Sequence, residues 1–214
     1  MHLFKGNYRW FIVFLLFIAT TINYVDRQLL GLLKPMLEKE FNWSESDFAR
    51  IVMAFSAAYA IGLLLAGRFI DRVGTKAGIS ISVVFWSLAG MAHALAKSVS
   101  GFIVARLSLG LGESGNFPGA AKAVAEWFPK RERGIATGIF NAGPSVGVIV
   151  SLIMVPLILQ NYGWQEVFWI TGALGFIWLI FWIRFFEIPQ KQHRLSAAEL
   201  SLISENETPV ITHK

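Results

Sequence analysis

The chain has no cysteine, so a disulfide framework, a thiolate metal site and a cysteine nucleophile are all excluded. Charge is scarce too, at 15% of residues against 55% hydrophobic ones. With eight tryptophans and a mean hydropathy of +0.54, that balance argues against an ordinary soluble domain. Strand alternation is missing even where glycine and serine are frequent, so the apolar runs read as helices. The sequence offers no phosphate loop, nucleophile–base pair or metal-ligand cluster, which argues against an enzyme. His93 stands alone and reads as a packed or interfacial histidine. A surplus of five positive charges would suit nucleic acid, but the basic loops of a membrane protein explain it equally well, and the hydropathy decides for the membrane.

What is present is a set of six apolar segments, each of about 20 residues, enough to cross a bilayer. They cover 10–33, 48–70, 77–96, 101–121, 134–159 and 166–186. The first is too long for a cleavable signal peptide, and no small-residue cleavage site follows it. With the N-terminus inside, thirteen Lys and Arg fall on the inner side and four on the outer, so both termini are expected in the cytoplasm. Between the first two segments, Lys34 to Asp47 reads as a polar outer loop, with a formal glycosylation sequon at Asn42-Trp43-Ser44.

The first segment puts an acid and a base where hydrocarbon is expected. Asn23, Asp26 and Arg27 stand at i, i+3 and i+4 and share one helix face. An ionised side chain inside a bilayer costs roughly 2.5–3.5 kcal/mol unless it faces protein or water. A loop starting at Asn23 is the plainer reading, but Leu29, Leu30, Leu32 and Leu33 resume the apolar pattern. In the fourth segment Arg106 and Glu113 lie two turns apart on one stripe. The glycines Gly110, Gly112 and Gly115 match a dinucleotide fingerprint, yet no strand precedes them, so they read as a close-packing helix face. Tyr59, among Ala57, Ala58, Ala60 and Gly62, is either a buried structural tyrosine or a ligand contact. Pro144, close to Asn141 and Ser145, should bend or open the fifth helix.

A rise of about 1.5 Å per residue through a core of about 30 Å sets Asp26 and Arg106 at similar depth toward the outer edge, where they could pair. Glu113 and Tyr59 fall near the middle. Two guanidiniums beside a cavity suit a carboxylate, whose two oxygens match the planar fork. A carboxylic acid in a low-dielectric site can load and release a proton.

Gly67-x-x-x-Asp71-Arg72-x-Gly74-x-Lys76, Arg106 with Gly110 and Gly112, and Trp127-Phe128-Pro129 with Glu132-Arg133-Gly134 resemble the major facilitator superfamily. Tyr24-x-Asp26-Arg27 with Gly112-Glu113 is similar to its anion:cation symporter family, in the flavour of bacterial sugar-acid transporters for hexuronates or aldonates. The resemblance implies an all-α membrane protein with six transmembrane helices in a 3+3 inverted repeat, the N-terminal half of a major facilitator fold. It implies proton-coupled import of a small organic anion by alternating access in the inner (plasma) membrane, with no cofactor and with sodium left open as the coupling ion.

Carried over residue by residue, Asp26 and Glu113 would couple protons and Arg106 would be the switchable partner of Asp26. Arg27, Tyr24 and Tyr59 would hold the substrate carboxylate, and Asn141 or Ser145 would read its hydroxyls. Gly67, Asp71, Arg72, Gly74 and Lys76 would form the gating motif. Residues 1–188 would be the six-helix domain and 189–214 the start of a central loop, where Ser196 to Glu199 offers a capping box for a short surface helix. The second six-helix half would be the missing partner, so the chain is expected to be a fragment that does not transport alone. The competing expectation is a half-length assembly subunit without transport activity.

Overall fold

In the computed structural model the described residues run from Asn7 to Ser204, and the regular elements among them are helices. They are α1 (Tyr8–Phe41), α2 (Glu45–Val73), α3 (Thr75–Ala92), α4 (Val99–Glu113), α5 (Asn116–Trp127), α6 (Arg133–Asn141), α7 (Gly143–Asn161), α8 (Trp164–Phe185) and α9 (Ala197–Ser204). Local chemistry sets several boundaries. Ser44 and Asp47 form a reciprocal capping box at the start of α2. Gly74, at φ +85°, makes the turn from α2 to α3, a conformation that a side chain would strain. The Ser98 hydroxyl accepts the Gly101 N–H and caps α4.

α1 differs most from expectation. It continues through Asp26 without a loop, as expected, but it ends at Phe41 and not at Leu33, absorbing most of the expected outer loop. Tertiary packing overrides the local polarity here. Leu30, Leu33 and Leu37 extend the buried stripe, while Phe41 stacks on Trp43 and meets Phe102 and Trp164 edge-on. Pro35 removes one backbone bond, and the carbonyl it frees belongs to the exposed Gly31. Asn42, in the sequon, takes the left-handed conformation that ends the helix.

Five stretches among the described residues are long and apolar enough to cross a membrane: Tyr8–Phe41, Glu45–Val73, Thr75–Leu95, Arg133–Asn161 and Trp164–Phe185. The expected crossing at 101–121 is divided at Ser114 and Gly115 into α4 and α5, each too short to count alone. The fifth is divided at Ala142, with Pro144 in the first turn of α7.

The packing follows an exchange symmetry. α2 lies along α4 as α7 lies along α1, α3 meets α4 as α8 meets α1, and α3 packs on α8. Exchanging the first three crossings for the last three turns each pairing into another of the set, as a 3+3 repeat requires. Close approach rests on small residues, since lipid gives apolar side chains no reason to prefer each other. A Cβ on Gly110 would stand 2.6 Å from the Phe55 carbonyl of α2, and one on Gly147 would stand 2.6 Å from the Thr21 carbonyl of α1. The outward surface is apolar over many large side chains, Leu64, Ile180 and Ile149 among them, a surface suited to cover by lipid or by a further protein partner and not to water.

Two apolar clusters divide the bundle. One gathers Trp86, Trp127, Trp178 and Trp182 around the first half of α1. The other gathers Leu33, Leu37, Phe102, Trp164 and Phe168 around its second half. The junction falls between Ile22 and Val25, where the polar side chains stand.

Candidate functional site

Arg27 is the centre of the site. Its Nε donates to Glu113 Oε2 at 2.6 Å. Its guanidinium lies 4.2 Å from the Tyr59 ring centroid, 4.7 Å from Tyr24 and 5.2 Å from Phe55. Phe55 and Tyr59 stand at i and i+4 on α2 with stacked rings, so one helix face supplies two walls of an aromatic cage. Cation–π contacts hold the guanidinium in place while Nη2 stays without a hydrogen-bond partner among the described residues.

Glu113 is fully buried, and its second oxygen has no hydrogen-bond partner among the described residues. It closes α4 just before the division at Ser114 and Gly115, so its position depends on that break. Arg106, buried on the same helix, lies 5.7 Å from the Phe55 ring, with Nε and Nη2 unpartnered. Phe55 thus sits against both guanidiniums. Arg27 and Arg106 together line a cavity of about 180 Å³ with Leu30, Phe48, Val52 and Phe55. A larger groove of about 630 Å³ between α3 and α4 carries no charged side chain, which makes it unsuited to an anion.

The expected pairing of Asp26 with Arg106 does not form. Asp26 is buried, its two oxygens make no hydrogen bond among the described residues, and Glu113, Thr171 and Arg106 lie within its electrostatic reach. The pair that forms is Arg27–Glu113. The depth count, at about 1.5 Å per residue, set Glu113 nearer the middle than Arg27, yet the two meet at one level. The count places backbone positions, and a long guanidinium side chain reaches its partner at another level. Asn23 is also buried without a partner.

Tyr24 and Tyr59 are brought to Arg27 as expected. Asn141 and Ser145 are not: both are exposed, and no hydrogen bond or ion pair among the described residues joins them to the cluster. Ser145 lies off the Gly143–Gly147 face that α7 presses onto α1. Phe55 was missed, and its spacing from Tyr59 was the available signal. Thr171, on α8, has no signal of its own in the sequence. His93 is a packed histidine, buried, with Nδ1 2.8 Å from the Ala89 carbonyl and its ring stacked on Phe168.

At the end of the bundle where α9 packs, away from the cage, the motif residues knit helix ends together. Asp71 accepts from Lys122 of α5 at 2.7 Å, as a charge at a helix end can do. Lys76 pairs with Glu187 at 3.1 Å, and that hydrogen bond holds the Glu187 carboxyl below its ordinary range. The Thr75 hydroxyl donates to Glu126 at 2.7 Å. Arg72 is exposed, and a Cβ on Gly67 would meet open space.

A bundle with this exchange symmetry and charged groups buried at its centre is that of a polytopic membrane transporter half. Residues 16–211 match the Major Facilitator Superfamily, and the chain belongs to that family, which is one of transporters and not of enzymes. It is 37% identical over 195 residues to the hexuronate transporter of Escherichia coli strain K12, covering 91% of this chain and 45% of that protein. It is 35% identical over 195 residues to the galacturonate transporter of Dickeya chrysanthemi, covering 91% and 56%. The chain therefore spans about half the length of the curated relatives it matches. Among solved structures, the proton:xylose symporter XylE bound to 6-bromo-6-deoxy-D-glucose superposes with a TM-score of 0.77 at 18% identity, over 87% of this chain and 46% of that one. That likeness concerns the fold.

Proposed function

We propose that this chain forms the N-terminal half of a proton-coupled importer of an organic anion, a sugar acid such as a hexuronate or aldonate, working by alternating access. The observation that carries the reading is the Arg27–Glu113 pair inside an aromatic cage, on a cavity that a second guanidinium also lines. While Glu113 is ionised it occupies the fork that a substrate carboxylate would need. Protonating Glu113 cancels its charge and releases Arg27 to the anion, so proton and substrate load together. Asp26, buried beside Arg106, is the second proton site in this reading. The coupling ion is the proton. α4 and α5 together make the fourth crossing, both termini face the cytoplasm and the membrane is the inner one.

Relatives named as transporters of galacturonate, hexuronate and galactarate or glucarate support the substrate class, and they lend nothing to the assembly-subunit reading. Uptake of labelled galacturonate, glucuronate, gluconate and galactonate into liposomes with an imposed pH gradient tests it. The chain is assayed alone and joined to a C-terminal six-helix half. Uptake by the joined form, driven by inward protons, is expected. Uptake indifferent to the gradient would overturn proton coupling, and no uptake of any acid would overturn the substrate class.

A further inference from the structure

Beside the end of α8, away from the Arg27 cage, a cavity of about 390 Å³ is lined by Lys76, Arg184, Lys191, His193 and Arg194, with Gln192 and Glu187. Four full positive charges face one carboxylate there, and that carboxylate is already engaged by Lys76 at 3.1 Å. Arg194 is held in place: it donates to the Arg184 carbonyl at 3.1 Å and lies over the Phe185 ring at 4.9 Å. The side chains of Arg184 and Lys191 are exposed and make no ion pair among the described residues.

An exposed apolar stripe of α8 runs up to the cavity. Ile177, Ile180 and Phe181 are half exposed or more, and with Arg184 they stand at i, i+3, i+4 and i+7, one continuous stripe of α8. The opposite face, through Gly175, Trp178 and Trp182, is buried in the bundle. Arg184 is therefore the foot of an exposed apolar stripe, and the basic cavity lies where that stripe ends. Acyl chains laid along Ile177, Ile180 and Phe181 deliver a headgroup to the cavity.

We propose that this cavity is a binding site for an anionic phospholipid, with its phosphodiester held by Arg184 and Lys191 and its chains along the outer stripe of α8. A zwitterionic lipid carries its own ammonium into the same positive field and is disfavoured; a free inorganic anion gains nothing from the isoleucine stripe. Basic pockets at helix ends are suited to anionic headgroups.

The test reconstitutes the 214-residue chain in nanodiscs of phosphatidylcholine with a minor fraction of phosphatidylglycerol, and reads lipids retained on the protein by native mass spectrometry. Phosphatidylglycerol is expected to be retained in preference to phosphatidylcholine. The double variant Arg184→Gln with Lys191→Gln should lower that preference by about tenfold or more, whereas Arg68→Gln, an exposed charge elsewhere, should leave it unchanged. Helical content by circular dichroism confirms that each variant is folded. A third arm adds sodium phosphate to the phosphatidylglycerol-bound chain in neutral detergent. Equal retention of the two lipids, an unaltered preference in the double variant, or phosphate that displaces phosphatidylglycerol at millimolar concentration would each overturn the proposal.

Discussion

Glu113 carries two duties that substitution can separate. It holds Arg27 through one oxygen and, in the proposed cycle, it takes up the proton. Glu113→Gln keeps a carbonyl oxygen for the Arg27 Nε and so keeps the geometry, but it cannot titrate. In the chain joined to a second half, uptake driven by a pH gradient should fall to the level of empty vesicles, while exchange of internal for external substrate persists. Glu113→Leu removes the acceptor altogether and leaves a guanidinium in the aromatic cage with no counter-charge. Breaking a buried pair this way costs about 3 kcal/mol, read as a lower melting temperature in detergent. If Glu113→Gln retained full gradient-driven uptake, Glu113 would not be the coupling acid.

At the scale of helices, the glycines do unequal work. Gly110 presses α4 onto α2, where an added Cβ would meet the Phe55 carbonyl and the Tyr59 N–H, backbone groups that have nowhere to go. Gly110→Val should cost about 1–3 kcal/mol by overpacking, and because Phe55 and Tyr59 wall the cage it should also misplace Arg27. Gly67→Ala meets nothing within 4 Å and should leave the melting temperature within a degree or so of the parent. Equal losses at the two positions would refute the packing argument.

The same contrast shows what the sequence can express. Helical crossings, close packing at Gly110 and Gly112 and the Tyr24–Asp26–Arg27 run were legible because periodicity, small-residue content and misplaced charge are local signals. The two glycines do not share one face, however: Gly110 meets α2 and Gly112 meets α3. Which carboxylate Arg27 meets was not legible, since that depends on where α4 breaks and on how α1 and α4 pack. The leucine stripe that carries α1 to Phe41 is visible only once α2, α4 and α8 supply partners for it. Asn141 and Ser145 read as site residues by analogy alone, and no local feature showed that they face away from the contact with α1.

Across the whole molecule, the two ends of the described chain are fastened to each other. α9 was expected as a surface helix opened by a capping box, and Ser196 does accept the Glu199 N–H. Glu199 does not return the bond. Its carboxylate is buried against the start of α1, where it accepts the Tyr8 and Arg9 backbone N–H groups at 3.1 and 3.0 Å and Arg9 Nη1 at 3.1 Å. A carboxylate at a helix N-terminus gains from the unpaired N–H groups and the dipole together. Arg9 also reaches Glu132 at 2.8 Å, so one arginine ties α9, α1 and the turn before α6.

Glu199→Ala leaves those donors without an acceptor at roughly 1–3 kcal/mol per buried group, enough to release a helix of eight residues. Trypsin should then cut after Lys191 or Arg194 at least about tenfold faster, the factor that 1.4 kcal/mol corresponds to. Ser201→Ala, which loses only a bond to its own helix, should digest like the parent. Glu199→Gln can still accept from the backbone and should fall between the two. Unaltered cleavage in Glu199→Ala would mean that the apolar contact of Ile203 with the core, and not the buried carboxylate, holds α9 to the bundle.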